Sequence, residues 1–349
     1  MTTVLRRVAP QLLTLVAVIM LVSIYFPSFW QIVYVNERLV GIPIDVIKRG
    51  APVALLAIGM TLVIATRGID LSVGAVMAIC GASAAWSIDQ GFGLWAALGI
   101  ALVAGLICGL WNGLLVAVFD IQPIVATLIL MVAGRGIAQL ITGGTILTFD
   151  NDAFSYLGSG TLLGVPVPAV IWVLTGIGFG LLVRRTALGL LVESIGVNLR
   201  ASTLTGINSR VLLIAVYMGS GFCAALAGII ATADIRGADA NNAGLWLELD
   251  AILAVVIGGN SLLGGRFSIL ASILGAMIIQ TINTGILLAG FPSEFNLVIK
   301  AVLVIIILVL QSPRVLPQLA YLWRGRRDRS QRPKQSQTSQ QNAGTETKT

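Results

Sequence analysis

From Leu94 to Phe119 the chain carries no charged side chain, a run long enough to cross a bilayer as one helix. Uncharged runs also cover Ala9–Tyr25, Val165–Val183, Val211–Ala233 and Phe267–Leu288. Two more, Ile124–Ile141 and Phe295–Leu310, hold one basic residue each, Arg135 and Lys300. In hydrocarbon every backbone amide must be satisfied within its own segment, so such runs default to helix. Only 11% of the 349 residues are charged, where a soluble domain has roughly a quarter. The expected fold is all-α, a polytopic membrane protein.

Three apolar pieces fall short of a full crossing: Ala51–Thr66, Val73–Ile88, and Ala251–Ile257 running on towards Leu263. Arg67-Gly68-Ile69-Asp70-Leu71-Ser72 divides the first two, and Gly264-Gly265-Arg266 follows the third. Short spans beside a charged or glycine-rich break predict interrupted or re-entrant helices, a backbone tolerated only where protein or a cavity surrounds it. The order of short span, break and second span at 51–88 is echoed at 251–288. Together the runs predict about ten transmembrane spans within a membrane domain at residues 1–320. Residues 321–349 are basic and polar, the composition of a disordered cytoplasmic tail. No small-x-small cleavage pattern follows the first run, where Pro27, Phe29 and Trp30 stand, so an uncleaved first span is expected.

Ten spans place both termini on one side, and Arg6 and Arg7 make that side cytoplasmic. Parity then gathers Arg67, the stretch Arg184–Arg210, Arg266 and the tail bases from Arg324 to Lys334 inside. It places Asp150, Asp152, Asp234, Asp239, Glu248 and Glu294 outside. Arg38, Lys48, Arg49 and Arg236 break the rule. The net charge of +7 therefore reads as contact with anionic lipid headgroups, not with nucleic acid.

The chain has no histidine, which removes His general bases, His metal ligands and the usual hydrolase triads. Cys80, Cys108 and Cys223 lie inside apolar runs and read as small buried residues, with no disulfide framework or metal site. None of Lys48, Lys300, Lys334 and Lys348 follows a glycine, so there is no phosphate-binding Walker A loop. ATP-driven transport would need ATP and magnesium on a separate ATPase subunit. Gly105, Gly109 and Gly113 line one helix face, a seam for close helix approach, expected to serve packing within the chain rather than between two chains.

The stretch Arg184–Arg210 is the longest polar interruption in the middle of the chain, with four arginines and one acid, Glu193. Leu188, Val192, Ile195 and Leu199 recur at helical spacing, an amphipathic pattern. A short helix between Val197 and Thr205, ended by Gly206, would turn Asn198, Arg200 and Ser202 outwards. A docking element and a plain solvated loop both accommodate these residues.

Glu193-Ser194-Ile195-Gly196-Val197-Asn198, Arg200-Ala201 and Gly206-Ile207 resemble the coupling loop of ribose-type ATP-binding-cassette (ABC) importer permeases. Gly68-Ile69-Asp70-Leu71-Ser72-Val73-Gly74 resembles a second element of that family. Leu247-Glu248-Leu249-Asp250-Ala251-Ile252 with Gly258-Gly259-Asn260-Ser261-Leu262 and Gly264-Gly265-Arg266 resembles a third. Ser194 stands where alanine is usual. Ala51–Met60, Ala126–Gly136 and Ile235–Gly244 are similar to permeases of bacterial galactofuranose importers.

The resemblance implies a multi-pass permease of the bacterial inner membrane, working as a homodimer with a cytoplasmic ABC ATPase and a periplasmic sugar-binding protein. It implies that Glu193, Gly196, Asn198, Arg200 and Gly206 meet the ATPase. On this reading Asp70, Ser72, Asn112, Arg135 and Gln139 lie along the translocation path, with Arg135 as candidate partner for Asp70. A structural salt bridge or interhelical hydrogen bonds would explain the same residues. Asp239, Asn241, Asn242 and Glu248 would face the binding protein, or simply solvent. Lys300 is expected to snorkel to the interface. An ion-coupled secondary transporter would also have broken helices and buried charge, but no coupling loop. A purely structural membrane protein would need neither.

Overall fold

The computed structural model describes residues 2–35, 38–290 and 293–311. The tail at 321–349, and with it the expected boundary at 320, lies outside the described residues. Residues 1–301 form one compact unit, and a second begins at Val302, of which only the end of the last helix is described.

Each of the ten apolar runs is a helix. In chain order the helices are α1 (Thr2–Tyr25), α2 (Ile42–Arg49), α3 (Ala51–Ala65), α4 (Val73–Asp89), α5 (Leu94–Ala117), α6 (Pro123–Thr142), α7 (Asp152–Ser159), α8 (Val167–Arg185), α9 (Leu188–Val197), α10 (Leu199–Leu204), α11 (Ser209–Ile235), α12 (Leu247–Ile257), α13 (Ile269–Leu288) and α14 (Ser293–Gln311). Among the described residues six helices are long and apolar enough to cross a membrane singly. A seventh span arises if α2 and α3, bent by 41° at Gly50, count as one. Among the described residues strand is confined to three two-stranded pairs, including Leu147–Thr148 against Gly237–Ala238.

Helix α11 is the central post, packed against α3, α4 and α5. Its 27 residues span about 40 Å. The glycine row of α5 lies on it. A Cβ on Gly105 would strike the carbonyl of Gly221, one on Gly109 would strike Tyr217 and Met218 backbone, and one on Gly113 would sit 2.8 Å from Ile214 Cα. The seam thus works within the chain, and closeness replaces side-chain burial as the source of attraction, as expected in lipid. Gly109→Val therefore forces α5 off α11. Overpacking of this kind costs about 1–3 kcal/mol or more, so the melting temperature in detergent should fall by several degrees. Gly99→Val, where a Cβ meets open space, should leave it unchanged.

Both interrupted elements have the same form. The first is α3, a break at 66–72, then α4; the second is α12, a break at 258–268, then α13. α12 is 11 residues long, about 16 Å and half a bilayer core. Its N-terminal end lies against the N-terminal end of α4, because Gly244 and Glu248 sit where a Cβ on Gly74 would be. Segment 237–246 therefore re-enters the bundle after α11.

The two ends of α11 separate two charge populations. Near its start lie Arg67, the α9–α10 stretch and Arg266. Near its finish Arg236 pairs with Asp152 at 3.1 Å and Asp150 at 3.5 Å, and Lys48 pairs with Asp234 at 2.6 Å. Two of the four bases that broke the charge rule are thus matched by acids at their own end.

Candidate functional site

Within the stretch Arg184–Arg210, Arg184 and Arg185 end α8, Arg210 lies in the first turn of α11, and two short helices, α9 and α10, joined at Asn198, lie between them. The Asn198 side chain accepts the amide of Ala201 at 3.1 Å and caps α10. Gly206, at φ +89°, turns the chain out of α10 in a conformation that favours glycine. Val192 and Ile195 are buried, as the spacing predicts, and Glu193 is half-buried. Leu199 is exposed and Ser202 buried, against expectation. The helix restarts at the Asn198 cap, so the phase of α9 does not carry into α10. Arg200 is exposed.

Gly196 fixes where this stretch sits. A Cβ there would collide with the carbonyl of Ala65 and the amide of Gly265, which are themselves hydrogen-bonded at 2.9 Å. Arg67 completes the junction, its Nε donating to the Leu263 carbonyl at 3.0 Å and its Nη2 to the Val197 carbonyl at 2.6 Å. The end of α3, the break after α12 and the end of α9 thus meet at one point. Beside it an open, mostly apolar cleft of about 450 Å³ is lined by Leu190, Glu193, Val197, Ala201, Ile207 and Arg266, among others. Arg67 and Arg266 were legible as inside charges, but not as the groups that complete this face.

The second cluster lies deeper. Asp70 Oδ1 accepts the Ser72 amide at 3.0 Å and the Ser72 hydroxyl at 2.6 Å, and Oδ2 accepts the Ser220 hydroxyl at 2.8 Å. Asn112 Nδ2 donates to Ser72 Oγ at 2.8 Å. All four residues are at most 3% exposed, and Ser220 is near the middle of α11. Asn112 Oδ1 and the Tyr217 hydroxyl find no hydrogen-bond partner among the described residues. The α3–α4 break is thus tied to α5 and α11 at membrane depth.

Arg135 is not the partner of Asp70. Its Nη1 donates to the carbonyls of Ala240 at 3.1 Å and Ala243 at 2.5 Å. Asp70 is satisfied by hydroxyls instead, and no ion pair reaches it among the described residues. Gln139 donates to Asn241 Oδ1 at 2.7 Å. Both α6 residues therefore grip the re-entrant segment. Within it Asp239 accepts the Asn241 and Asn242 amides and the Asn242 side chain, the last at 2.7 Å. The Asn242 side-chain amide first, then the turn amides, hold the Asp239 carboxyl below the usual carboxylate range. A depressed carboxylate stabilises its turn above the unfolded-state pKa and loses that contribution as pH falls through the folded one, so the turn keeps its form at neutral pH.

Two further expectations are corrected. Glu248 is 4% exposed and faces no solvent, because α12 begins inside the bundle. Lys300 does not snorkel; its ammonium donates to both carboxylate oxygens of Asp250, at 3.0 and 2.9 Å.

The helices, the paired interruptions and the polar cluster at mid-depth define a polytopic membrane permease. A family model described as a branched-chain amino acid transport system / permease component matches residues 42–308, and the chain belongs to that family. It is a multi-pass inner-membrane transport component and not an enzyme. The galactofuranose transporter permease protein of Escherichia coli K12 is 61% identical over 305 residues, 87% of this chain and 89% of that one. A fructose import permease of Bifidobacterium longum is 44% identical, covering 79% of each chain. The ribose import permease of Escherichia coli K12 is 36% identical, covering 87% of this chain and 93% of its own.

Proposed function

We propose that the chain is the membrane subunit of an ABC sugar importer and that its cargo is galactofuranose or a closely related monosaccharide. The observation that carries the reading is the junction at Gly196. A partly exposed helix pair carrying Glu193 and Arg200 is locked onto both helix breaks, so force applied to it reaches the parts of the fold free to rearrange. The 61% identical galactofuranose permease supports the cargo. The Escherichia coli and Bifidobacterium relatives are named as importers of other monosaccharides, which supports the class.

On this reading a cytoplasmic ATPase holds ATP and magnesium and seats against the cleft beside Glu193, Asn198 and Arg200. Gly196 and Gly206 shape that face. A periplasmic sugar-binding protein meets the outer turn at Asp239, Asn241 and Asn242, and a second copy of the chain closes the path. Asp70, Ser72 and Asn112 form a polar wall beside the path, and Arg135 and Gln139 hold the outer segment in place.

The test is co-purification with the ATPase from the same gene cluster. Arg200→Glu reverses an exposed charge and Glu193→Ala removes the only acid of the stretch. Each should lower recovered ATPase about tenfold, while elution and melting of the permease stay unchanged. Undiminished recovery with both changes together would refute docking at this face.

A further inference from the structure

The segment from Gly237 to Arg266 is gripped at both ends and along its length by side chains from other elements. At the outer end Arg135 of α6 holds the carbonyls of Ala240 and Ala243, and Gln139 holds Asn241. Midway Lys300 holds Asp250. At the inner end Gln11 of α1 donates to the Gly258 carbonyl at 3.0 Å, and Arg67 donates to the Leu263 carbonyl. Between the grips runs α12, a continuous helix without proline. Arg67 also holds Val197, the last residue of α9.

These contacts have a common character. Most grip the carbonyls of turns rather than of helices, so they fix position without being part of the helix itself. A charged donor on a carbonyl is stronger than a neutral hydrogen bond, and stronger still away from water. The guanidinium of Arg135 also lies within the electrostatic reach of Glu248 and Asp239, both on the same segment. An 11-residue helix does not compress, so displacement of one end must appear at the other or break the grips.

We propose that Gly237–Arg266 is a single mechanical element linking the outer turn to the coupling stretch, with Arg135 and Arg67 as positioning residues at its opposite ends. The proposal rests on the importer reading only in naming what pushes on the inner end. The linkage itself belongs to this chain alone.

The experiment needs neither ATPase nor sugar. Ala240 is 2% exposed, so a cysteine introduced there (Ala240→Cys, which leaves its backbone carbonyl for Arg135) should react slowly with a membrane-impermeant maleimide. The full chain is used in membrane vesicles, with the reaction of the unsubstituted chain subtracted. Arg135→Ala should speed the labelling about tenfold. Arg67→Ala, at the far end of α12, should speed it at least threefold, and Arg67→Lys, which keeps a donor, should restore most of the slow rate. If Arg67→Ala fails to fold, Gln11→Ala releases the same end by one hydrogen bond and should act in the same direction. Unchanged labelling at position 240 in a folded inner-end variant would show that the ends are independent and overturn the proposal. Failure of the ATPase to bind would leave all these rates as they are, so the two readings fall separately.

Discussion

Gly196→Val should abolish sugar uptake and lower the yield of folded permease. A Cβ at this position falls on the Ala65 carbonyl and the Gly265 amide, which hydrogen-bond to each other. The branched side chain must split that bond or lift α9 away. Leaving a buried donor or acceptor without its partner costs about 1–3 kcal/mol, and overpacking adds about 1–3 kcal/mol. Because the obstacles are backbone atoms, no rotamer change relieves them. Gly196→Ala should show the same loss in smaller measure. Gly136→Val, at a glycine facing open space, should keep at least half of the parent uptake. Uptake by vesicles and melting of the purified chain measure both.

Asp70→Ala should be the second large effect, and Asp70→Asn separates its causes. Two opposed terms act at this site. Burying a carboxylate with no ion-pair partner is costly, and removing it relieves that cost. Removing the side chain also strands the Ser72 amide and the hydroxyls of Ser72 and Ser220, at about 1–3 kcal/mol for each group that finds no substitute. Asparagine keeps an acceptor for Ser72 and removes the charge, so its stability should lie within about 1 kcal/mol of the parent. Alanine should lose about 2–4 kcal/mol, since several donors lose their acceptor at once. Chemical denaturation in detergent reads the difference. Equal loss in both variants would mean that the negative charge itself, and not the hydrogen bonds, holds the break together.

The helices were legible because apolar runs and polar breaks are one-dimensional signals. The ends of α3, α4, α5 and α8 fall within about two residues of the runs read from sequence, as frayed helix ends allow. Side-chain partnerships were not legible. Ser220 lies inside an uncharged run, and nothing in it marks it as a partner of Asp70. Arg135 was matched to Asp70 by opposite charge, but the arginine is spent on two carbonyls of a segment whose path no sequence pattern reveals. The parity of ten spans puts Glu248 in an outer loop; the segment instead turns back into the bundle, helped by Gly244 at φ +71°. Gly196 was read as part of a coupling motif, while its packing against Ala65 and Gly265, some 130 and 70 residues away in sequence, emerges only from the fold.

ATP-driven import is tested most directly by uptake into proteoliposomes holding this chain, its ATPase and its sugar-binding protein. Galactofuranose should enter when ATP is supplied to the ATPase side, entry should continue with ionophores collapsing every ion gradient, and it should stop when ATP is withheld. Uptake that survives without ATP and follows an imposed ion gradient would contradict ATP-driven import and establish a secondary transporter instead.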